Sequence, residues 1–488
     1  MGAILSYSDY SEREITAITT GGMVFNYACP KQTNSCVRRR IVMRDPIDTD
    51  VLEIAMEFTR RRYPQLSLGL TKTKNSVVER HIEAPFRLNP ITQDFHMMGS
   101  DTNGHMIAFY VEGTMLLVDF FHAIADDAGM DRFIQTLLYT YLDLKGYDPR
   151  DAEGRITRCD GQFDADEGED VGLQLLDEGA KERPGTQPKK AFKIKGRRRS
   201  LAEPDYAYTL HVDLKEFKAF AKLNGVTPTV VISTLFSRVL YRHYSAALMR
   251  SDNPITAEVA VNLRNHFPSN TVRNFVGNAY LQYDAALDSA NIADAFHAQS
   301  RSLSEQNTPE CQIAFHNHAM LPANKWFGES SLPGYAKNWI HKHIAVKAMS
   351  GGMTYGISNI GKEQLPECLK PHIEEYYSMI PSGLHAYLVS MRSEGDVLTL
   401  CITSKLDDSV DVVAMFAAVL CEFGVSTTVA HVEDFYYTKY VQGQAVTPTY
   451  ESKVDLSPIM DKIMARSESA SIAAHELGMK VRRRRAGV

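Results

Sequence analysis

The sequence predicts an α/β (α+β) fold in which strands and helices follow one another along the chain. Residues 106–111 and 115–121 are apolar runs on either side of a short polar stretch, where Gly113 permits the positive φ of a hairpin turn. Residues 255–263 alternate between apolar and mostly polar side chains, which is typical of a half-buried strand. Residues 412–423 are an apolar run closed by a glycine, which is typical of a buried helix.

The N-terminal region predicts a strand over residues 37–43 and a helix over residues 51–63. Asp50 is the expected N-cap of this helix. The basic run 60–62 at its end matches the helix dipole, and we interpret it as a solvated helix end. Pro64 ends the helix because proline lacks the backbone N–H that a further turn requires.

Residues 105–144 predict the strand–loop–helix unit around which the chain is organised. The run 115–121 is apolar almost throughout, as a strand buried on both faces would be. Asp131 is the expected N-cap of the helix that follows, whose apolar residues recur at helical spacing. The loop between the strand and the helix contains His122 and Asp126.

His122 and Asp126 are candidate catalytic residues because of their chemistry and position. An imidazole is the side chain best suited to take a proton near neutral pH. A carboxylate four residues later can orient the ring or hold the loop through an ion pair. Because this spacing is common, a histidine at a strand end in a polar loop is the alternative that spacing alone leaves open.

The segment FHAIADDAG resembles the H-x-x-x-D-G signature of the chloramphenicol-acetyltransferase-like acyltransferases. This superfamily includes peptide-synthetase condensation domains, plant BAHD enzymes and alcohol O-acetyltransferases. The resemblance puts His122 at the catalytic histidine and Asp126 at the motif aspartate. Two positions depart from the signature. Phe121 stands in place of the first histidine of the H-H-x-x-x-D-G form, and Asp127 stands in place of the glycine.

Two further segments carry the same resemblance. VNLRNHFPSNTVRNFVGNAY resembles the family segment in which a strand ends in an arginine and a Gly-Asn follows, which implies that Arg264 pairs with Asp126 and braces the catalytic loop. TYGISNIGKEQLP resembles the S-N-x-G strand of the family, so Ser358 or Asn359 is expected to donate a hydrogen bond to an oxyanion. The alternatives are a surface arginine at a strand end and a strand that simply ends in a glycine turn.

The resemblance implies two chloramphenicol-acetyltransferase-like lobes, each a mixed, largely antiparallel sheet flanked by helices, with an active-site channel between them. Residues 1–190 are expected to form the first lobe and to end in a charged linker that starts at about residue 146. Residues 205–448 are expected to form the second lobe, and residues 449–488 a C-terminal extension with a basic tail.

Composition argues against several other classes of protein. The 488 residues are 44% hydrophobic, which can fill sizeable cores, and a net charge of -6 gives no electrostatic basis for binding nucleic acid. Seven cysteines without paired spacing are interpreted as reduced thiols of a cytoplasmic protein. The N-terminus lacks a signal-peptide pattern, and no apolar run reaches the about 18 residues of a transmembrane segment. The H-x-H pairs, His316 with His318 and His341 with His343, lack a third ligand at zinc spacing, so no metal is expected.

These residues and the resemblance lead to the hypothesis of an acyltransferase that moves an acyl group from a thioester to a small-molecule alcohol or amine. His122 would be the general base, and acyl-CoA is favoured as the donor over an acyl-carrier thioester. A thioester is already activated, so no cofactor is expected. Two alternatives stay open: a stand-alone condensation enzyme that a carrier protein supplies, and a non-catalytic binding or scaffold protein of the same fold, which Asp127 keeps open.

Overall fold

The structure is a computed structural model of the chain. It describes residues 4–6, 15–16, 18–28, 35–73, 75–91, 96–159, 162–177, 190–200, 203–340, 343–344, 351–359, 365–435 and 439–440. The expected C-terminal extension, residues 449–488, and His341 of the second H-x-H pair lie outside these ranges.

The strands of the described residues are β1 (Ile4–Ser6), β2 (Ile15–Thr16), β3 (Cys36–Met43), β4 (Leu68–Lys72), β5 (Val77–His81), β6 (Leu88–Pro90), β7 (His96–Met97), β8 (Ile107–Glu112), β9 (Met115–Phe121), β10 (Gln162–Asp164), β11 (Asp205–Asp213), β12 (Ile255–Asn262), β13 (Val276–Tyr283), β14 (Tyr355–Asn359), β15 (Ile373–Met379), β16 (Tyr387–Glu394), β17 (Val397–Ser404), β18 (Thr427–Phe435) and β19 (Lys439–Tyr440). The α-helices are α1 (Thr20–Ala28), α2 (Thr49–Arg62), α3 (Asp127–Leu144), α4 (Val171–Gln174), α5 (Leu214–Leu223), α6 (Pro228–His243), α7 (Ser245–Leu248), α8 (Ala285–Ser289), α9 (Ile292–Gln306), α10 (Pro309–Ala323), α11 (Gly334–Ile340) and α12 (Ser409–Glu422).

Two mixed sheets organise the fold. The first has the strand order β15-β3-β9-β8-β6, in which only β6 and β8 pair in parallel. The second has the order β13-β12-β14-β16-β17-β11-β18, with β14 parallel to both of its neighbours and the other pairs antiparallel. The predicted fold class, with two mixed and largely antiparallel sheets, is therefore confirmed.

Each sheet has its own hydrophobic core because each is covered by amphipathic helices. Helices α2 and α3 pack on the first sheet, where their apolar residues share one cluster with β8 and β9. Helices α5, α6 and α12 pack on the second sheet and share another cluster with its central strands. These two cores define two lobes.

Strand β15 links the lobes. It comes from the second half of the sequence but pairs antiparallel with β3 at the edge of the first sheet. The next strand, β16, lies in the centre of the second sheet. The segment 205–448, which we expected to form the second lobe, therefore also supplies an edge strand to the first.

The basic run 60–62 is not a solvated helix end, and that interpretation is wrong for two of its three residues. Arg60 and Arg62 are buried. Arg60 donates to Glu57 of its own helix, and both terminal nitrogens of Arg62 donate to Glu167 at 2.8 Å. A buried cation is tolerated when a hydrogen-bonded carboxylate neutralises it, and this pairing also packs the acidic part of the expected linker against the first lobe.

The two expected N-caps lie elsewhere. Helix α2 is capped by Asp48, which accepts a hydrogen bond from Val51 N at 3.2 Å, and not by Asp50. Helix α3 begins at Asp127 and is capped by Asp126, so Asp131 lies inside the helix. Several carboxylates lie near the start of each helix in the sequence, and each of them is chemically able to act as an N-cap. The backbone conformation at the start of each helix decides which of these carboxylates becomes the N-cap.

No single helix in the described part of the chain has both the length and the apolar character to cross a membrane; helices α5 and α6 satisfy that test only as a pair bent by 88°.

Candidate active site

The candidate site begins where β9 ends in the middle of the first sheet. His122 follows at once, and its backbone N–H donates to the carbonyl oxygen of Ser35 at 2.8 Å. Four residues later, Asp126 accepts from the backbone N–H of Gly129 at 2.8 Å and so caps α3. Both ends of the short loop are therefore held by hydrogen bonds.

In the described part of the chain, three side chains have a ring contact or a hydrogen bond to the imidazole of His122. The ring of Phe25, on α1, stacks on it with centroids 4.0 Å apart and an interplanar angle of 6°. The ring of Phe120 meets it at 6.4 Å and 61°. Nδ1 lies 3.0 Å from Oδ1 of Asn274, and this is the hydrogen bond that the His122 ring makes to the described residues. The imidazole is half-buried, and its second nitrogen has no hydrogen-bond partner in the described part of the chain.

Asn274 comes from the second lobe, just before β13. Its Nδ2 donates to the carbonyl oxygen of His122 at 2.7 Å and to that of Ala123 at 3.1 Å. The residue is 6% exposed. One side chain of the second lobe therefore holds both the backbone of the loop 122–126 and the imidazole.

The neighbours of Asn274 also contact the first lobe. The buried guanidinium of Arg273 pairs with Glu79 of β5 and donates to the carbonyl oxygen of Gln65 at 3.0 Å. The backbone N–H of Val272 donates to Glu167 O at 2.9 Å. These contacts fix the segment around Asn274 against the first lobe, so the position of Asn274 beside His122 depends on how the two lobes pack.

Asp126 and Arg264 form an ion pair between the lobes. Arg264 Nη1 lies 2.7 Å from Asp126 Oδ2, and the aspartate is 2% exposed. The same oxygen accepts the backbone N–H of Phe275 at 2.8 Å. The other nitrogens of Arg264 donate to the carbonyl oxygens of Thr271 and Arg273. This is the pairing that the family resemblance implies.

Asp127, the residue in place of the motif glycine, faces a buried polar cluster. Its Oδ1 accepts from Arg39 Nη2 at 2.6 Å, and both of its oxygens accept from the hydroxyl of Ser378 at 2.9 and 3.0 Å. Arg39 also lies 2.9 Å from Asp131, which in turn pairs with Arg392 at 2.8 Å. The carboxylate of Asp127 is thereby engaged with β3 and β15.

This cluster bridges the lobes, because Arg39 lies on β3 of the first sheet and Arg392 on β16 of the second. Burial alone would raise the pKa of Asp131, but Arg39 and Arg392 hold that pKa below its ordinary value. Burial raises the pKa of Asp127, although Arg39 acts in the opposite direction. The two carboxylates thus share two arginines, which keeps the buried charges balanced.

Replacing Asp127 with glycine is expected to destabilise the protein by about 3 kcal/mol, because the buried guanidinium of Arg39 loses one of its two carboxylate partners. The melting temperature should fall, while the acyl transfer expected from the sequence, measured below both melting temperatures, should stay within about threefold of the parent, since Arg39 and Ser378 hold the carboxylate. Asp127→Asn keeps the acceptor for Ser378 and is the matched control, with a smaller loss of stability. A Gly variant that gains activity would contradict this, since it would mean that the carboxylate obstructs substrate.

Ser358 and Asn359 face opposite sides of the second sheet. The amide of Asn359 donates to the hydroxyl of Thr229 on α6 at 2.8 Å, so it points to the helix side. Ser358 pairs with Ser390 in register, and Ser390 donates to Ser378 O at 2.7 Å on the side of the first lobe. Of the two, Ser358 is therefore the one on the face that meets the first lobe.

Sequence reasoning missed Asn274 and Phe25. Asn274 lies inside the segment that carries the family resemblance, but no sequence motif singles out this asparagine as a contact of His122. Phe25 precedes the first predicted strand and gives no signal in the sequence for a place beside His122. The sequence does contain Gly22, where a Cβ would lie 2.5 Å from Ala123 O, so only glycine lets α1 approach the loop 122–126 this closely.

Of the two H-x-H pairs, His316 has a hydrogen-bond partner in the backbone and, among the described residues, no metal-site arrangement around it. His316 is buried, and its Nε2 lies 2.8 Å from the carbonyl oxygen of Gly172. Burial lowers the pKa of this imidazole. Within the described ranges there is no group of three or more His, Cys, Asp or Glu side chains with the arrangement of a metal site.

No family model matches the chain, and no curated protein matches it in sequence. Solved structures do match. Polyketide synthase associated protein 5 from Mycobacterium tuberculosis is 14% identical with a TM-score of 0.53, over 83% of this chain and 98% of that one. The EpoB cyclization-docking bidomain of a nonribosomal peptide synthetase from Sorangium cellulosum is 12% identical with a TM-score of 0.56, over 87% of each chain. The first condensation domain of the calcium-dependent antibiotic synthetase is 13% identical with a TM-score of 0.51, over 84% and 96%.

At these identities the likeness concerns the fold. The chain has the two-lobed fold of condensation domains, so the resemblance read from the H-x-x-x-D segment is confirmed at that level.

Proposed function

We propose that the protein is an acyltransferase that moves an acyl group from a thioester to an alcohol or amine, with His122 as the general base. The observation that carries this proposal is the half-buried imidazole at the junction of the lobes, with Nδ1 engaged by Asn274 and the other ring nitrogen left for substrate. The condensation-domain fold agrees with this chemistry.

The reaction needs one proton acceptor and one place for negative charge. The imidazole of His122 takes the proton of the hydroxyl or amine as its oxygen or nitrogen attacks the thioester carbonyl. The tetrahedral intermediate carries an oxyanion, for which the hydroxyl of Ser358 is the candidate donor. The C–S bond then breaks, and the thiolate leaves with the proton that the imidazolium returns. Atoms and charge balance without a cofactor.

Asp127 bears on the non-catalytic alternative. A binder or scaffold of this fold was kept open because a carboxylate in place of glycine would narrow the path to His122. Arg39 and Ser378 hold this carboxylate at hydrogen-bond distance. This contact favours the enzyme over the non-catalytic binder or scaffold.

Coenzyme A thioesters are the proposed donors, and an acyl group on a carrier protein is the second candidate. The carrier-protein donor has its own support, because the fold is also that of domains from nonribosomal peptide synthetases. Both donors present the same thioester and differ only in what is attached to the sulfur.

The experiment is to incubate the protein with a panel of acyl-CoA thioesters and simple alcohols or amines, and to follow thiol release and the acylated product together. A parallel arm supplies the same acyl groups on a phosphopantetheinyl carrier protein. Product formation in the first arm supports the coenzyme A donor, and product in the second arm alone supports the condensation enzyme. Two results would overturn the proposal: thiol release without an acylated acceptor in either arm, or no thiol release in either arm.

A further inference from the structure

We infer that Asn274 is a positioning residue that fixes the tautomer and orientation of His122, leaving Nε2 as the basic nitrogen. The inference deepens the proposed function and depends on it for its catalytic meaning. The inference rests on the contacts of the Asn274 amide group, because its NH₂ meets two backbone carbonyl oxygens, which can only accept hydrogen bonds.

The orientation of the Asn274 amide follows from its two backbone partners. A carbonyl oxygen can only accept a hydrogen bond, so the group that faces the carbonyls of His122 and Ala123, at 2.7 and 3.1 Å, must be the NH₂. Turning the amide around would set its oxygen against two other oxygens and lose both bonds. The amide oxygen therefore faces the imidazole.

The tautomer of His122 follows in turn. An amide oxygen has no proton to donate, so the contact between Oδ1 of Asn274 and Nδ1 of the imidazole, at 3.0 Å, requires the proton on Nδ1. In the neutral ring Nε2 then carries the lone pair. When Nε2 takes a proton from the acceptor, Nδ1–H keeps its bond to Asn274, so the contact needs no rearrangement during the reaction.

The plane of the ring is set separately by Phe25, whose ring lies parallel to it at 4.0 Å. Asn274 then sets the rotation of the imidazole within that plane. Among the described residues, the side chains with a ring contact or a hydrogen bond to the imidazole are those of Phe25, Phe120 and Asn274, and none of them is charged. The charged residues of the loop contact, Asp126 and Arg264, pair with each other at 2.7 Å. Asn274 therefore acts through hydrogen-bond geometry and not through charge.

The first test is nuclear magnetic resonance of protein labelled with ¹⁵N-histidine, with His122 assigned by its loss in the His122→Ala variant. The nitrogen shifts distinguish a protonated from an unprotonated ring nitrogen, and this readout does not depend on turnover. We expect Nδ1 protonated and Nε2 unprotonated in the parent, and a mixture of tautomers in Asn274→Ala. An Nε2–H tautomer in the parent, or an unchanged tautomer in Asn274→Ala, would overturn the inference even if the protein is an acyltransferase.

The second test is kinetic. Asn274→Ala should lower kcat by about 10- to 100-fold with KM within about threefold, because part of the general-base contribution is lost. Asn274→Asp keeps an acceptor at Nδ1, loses both bonds to the backbone carbonyls of His122 and Ala123, and adds a negative charge that favours the imidazolium. The acid limb of the pH–rate profile of the folded variant should therefore move upward by about one to two pH units.

Asn265→Asp is the matched control, because Asn265 is exposed in the turn after β12 and the chemical change is the same. It should leave the profile unchanged. Melting curves of all variants distinguish unfolding of the protein from displacement of the His122 imidazole in a folded protein. A folded Asn274→Asp variant with the parent profile would contradict the inference, because the added charge would then not lie beside Nδ1 of His122. A parent without any transfer activity would overturn the proposed function but leave the tautomer measurement valid.

Discussion

Replacing His122 with alanine is expected to lower acyl transfer by at least about a hundredfold, because the acceptor loses the group that takes its proton. The fold should survive. The half-buried imidazole packs mainly on Phe25, and the backbone contacts of the loop to Ser35 and Asn274 do not involve the ring. The expected signature is therefore a fall in kcat at a nearly unchanged melting temperature.

The measurement is product formation from the best thioester and acceptor, alongside thermal unfolding. His297→Ala is the matched control, since His297 is exposed on α9 and should keep the parent rate. Near-normal turnover in a folded His122→Ala variant would place the chemistry at another residue.

The unit that carries His122 could be predicted from sequence because its signals are local. Gly113 adopts a φ of 59° in the hairpin turn, as expected, and β9 is buried along almost its whole length. The alternation after residue 255 predicts β12, whose burial likewise alternates over most of its length. In such segments a short stretch of chain contains the pattern that burial requires.

The contacts that complete the site join residues far apart in sequence, and the local pattern does not contain them. Asn274 and His122 are 152 residues apart, and Arg39 and Asp127 are 88 apart. No periodicity indicates that Arg39 has a buried partner. Arg264 could be placed beside Asp126 only because a family resemblance supplied the pairing.

Charge was the least predictable property. A run of arginines or acids usually indicates a solvated surface, but here Arg62 and Glu167 neutralise each other in the interior. The same holds for Arg273 and Glu79. Arg62 and Glu167 are 105 positions apart in the sequence, and Arg273 and Glu79 are 194 apart, so the charge pattern of either segment alone does not show that these groups are buried. Burial of these groups depends on the tertiary structure, and breaking one pair should be costly.

Replacing Asp126 with alanine should destabilise the protein by about 3–5 kcal/mol, since the variant leaves the charge of Arg264 without its carboxylate at a buried junction. Loss of the α3 cap adds about 1 kcal/mol. The backbone N–H of Phe275 also loses its acceptor, so the segment that carries Asn274 is released from the catalytic loop. Stability and transfer activity should therefore fall together, which distinguishes this variant from His122→Ala.

A double-mutant cycle with Arg264→Ala isolates the ion pair from the other roles of Asp126. The double variant should be less destabilised than the sum of the single variants, because removing both charges leaves no unpaired cation. Asp126→Asn keeps an acceptor for the N–H of Gly129 while removing the charge, so it should retain the cap and lose the pair, with an intermediate melting temperature. Thermal unfolding of the five proteins (the parent, the two single alanine variants, the double variant and Asp126→Asn) and their transfer rates below the lowest melting temperature are the measurements. If Asp126→Ala melts at the parent temperature, or if the two single losses simply add, the pair does not brace the loop, and the position of His122 must depend on Asn274 and the packing of α1.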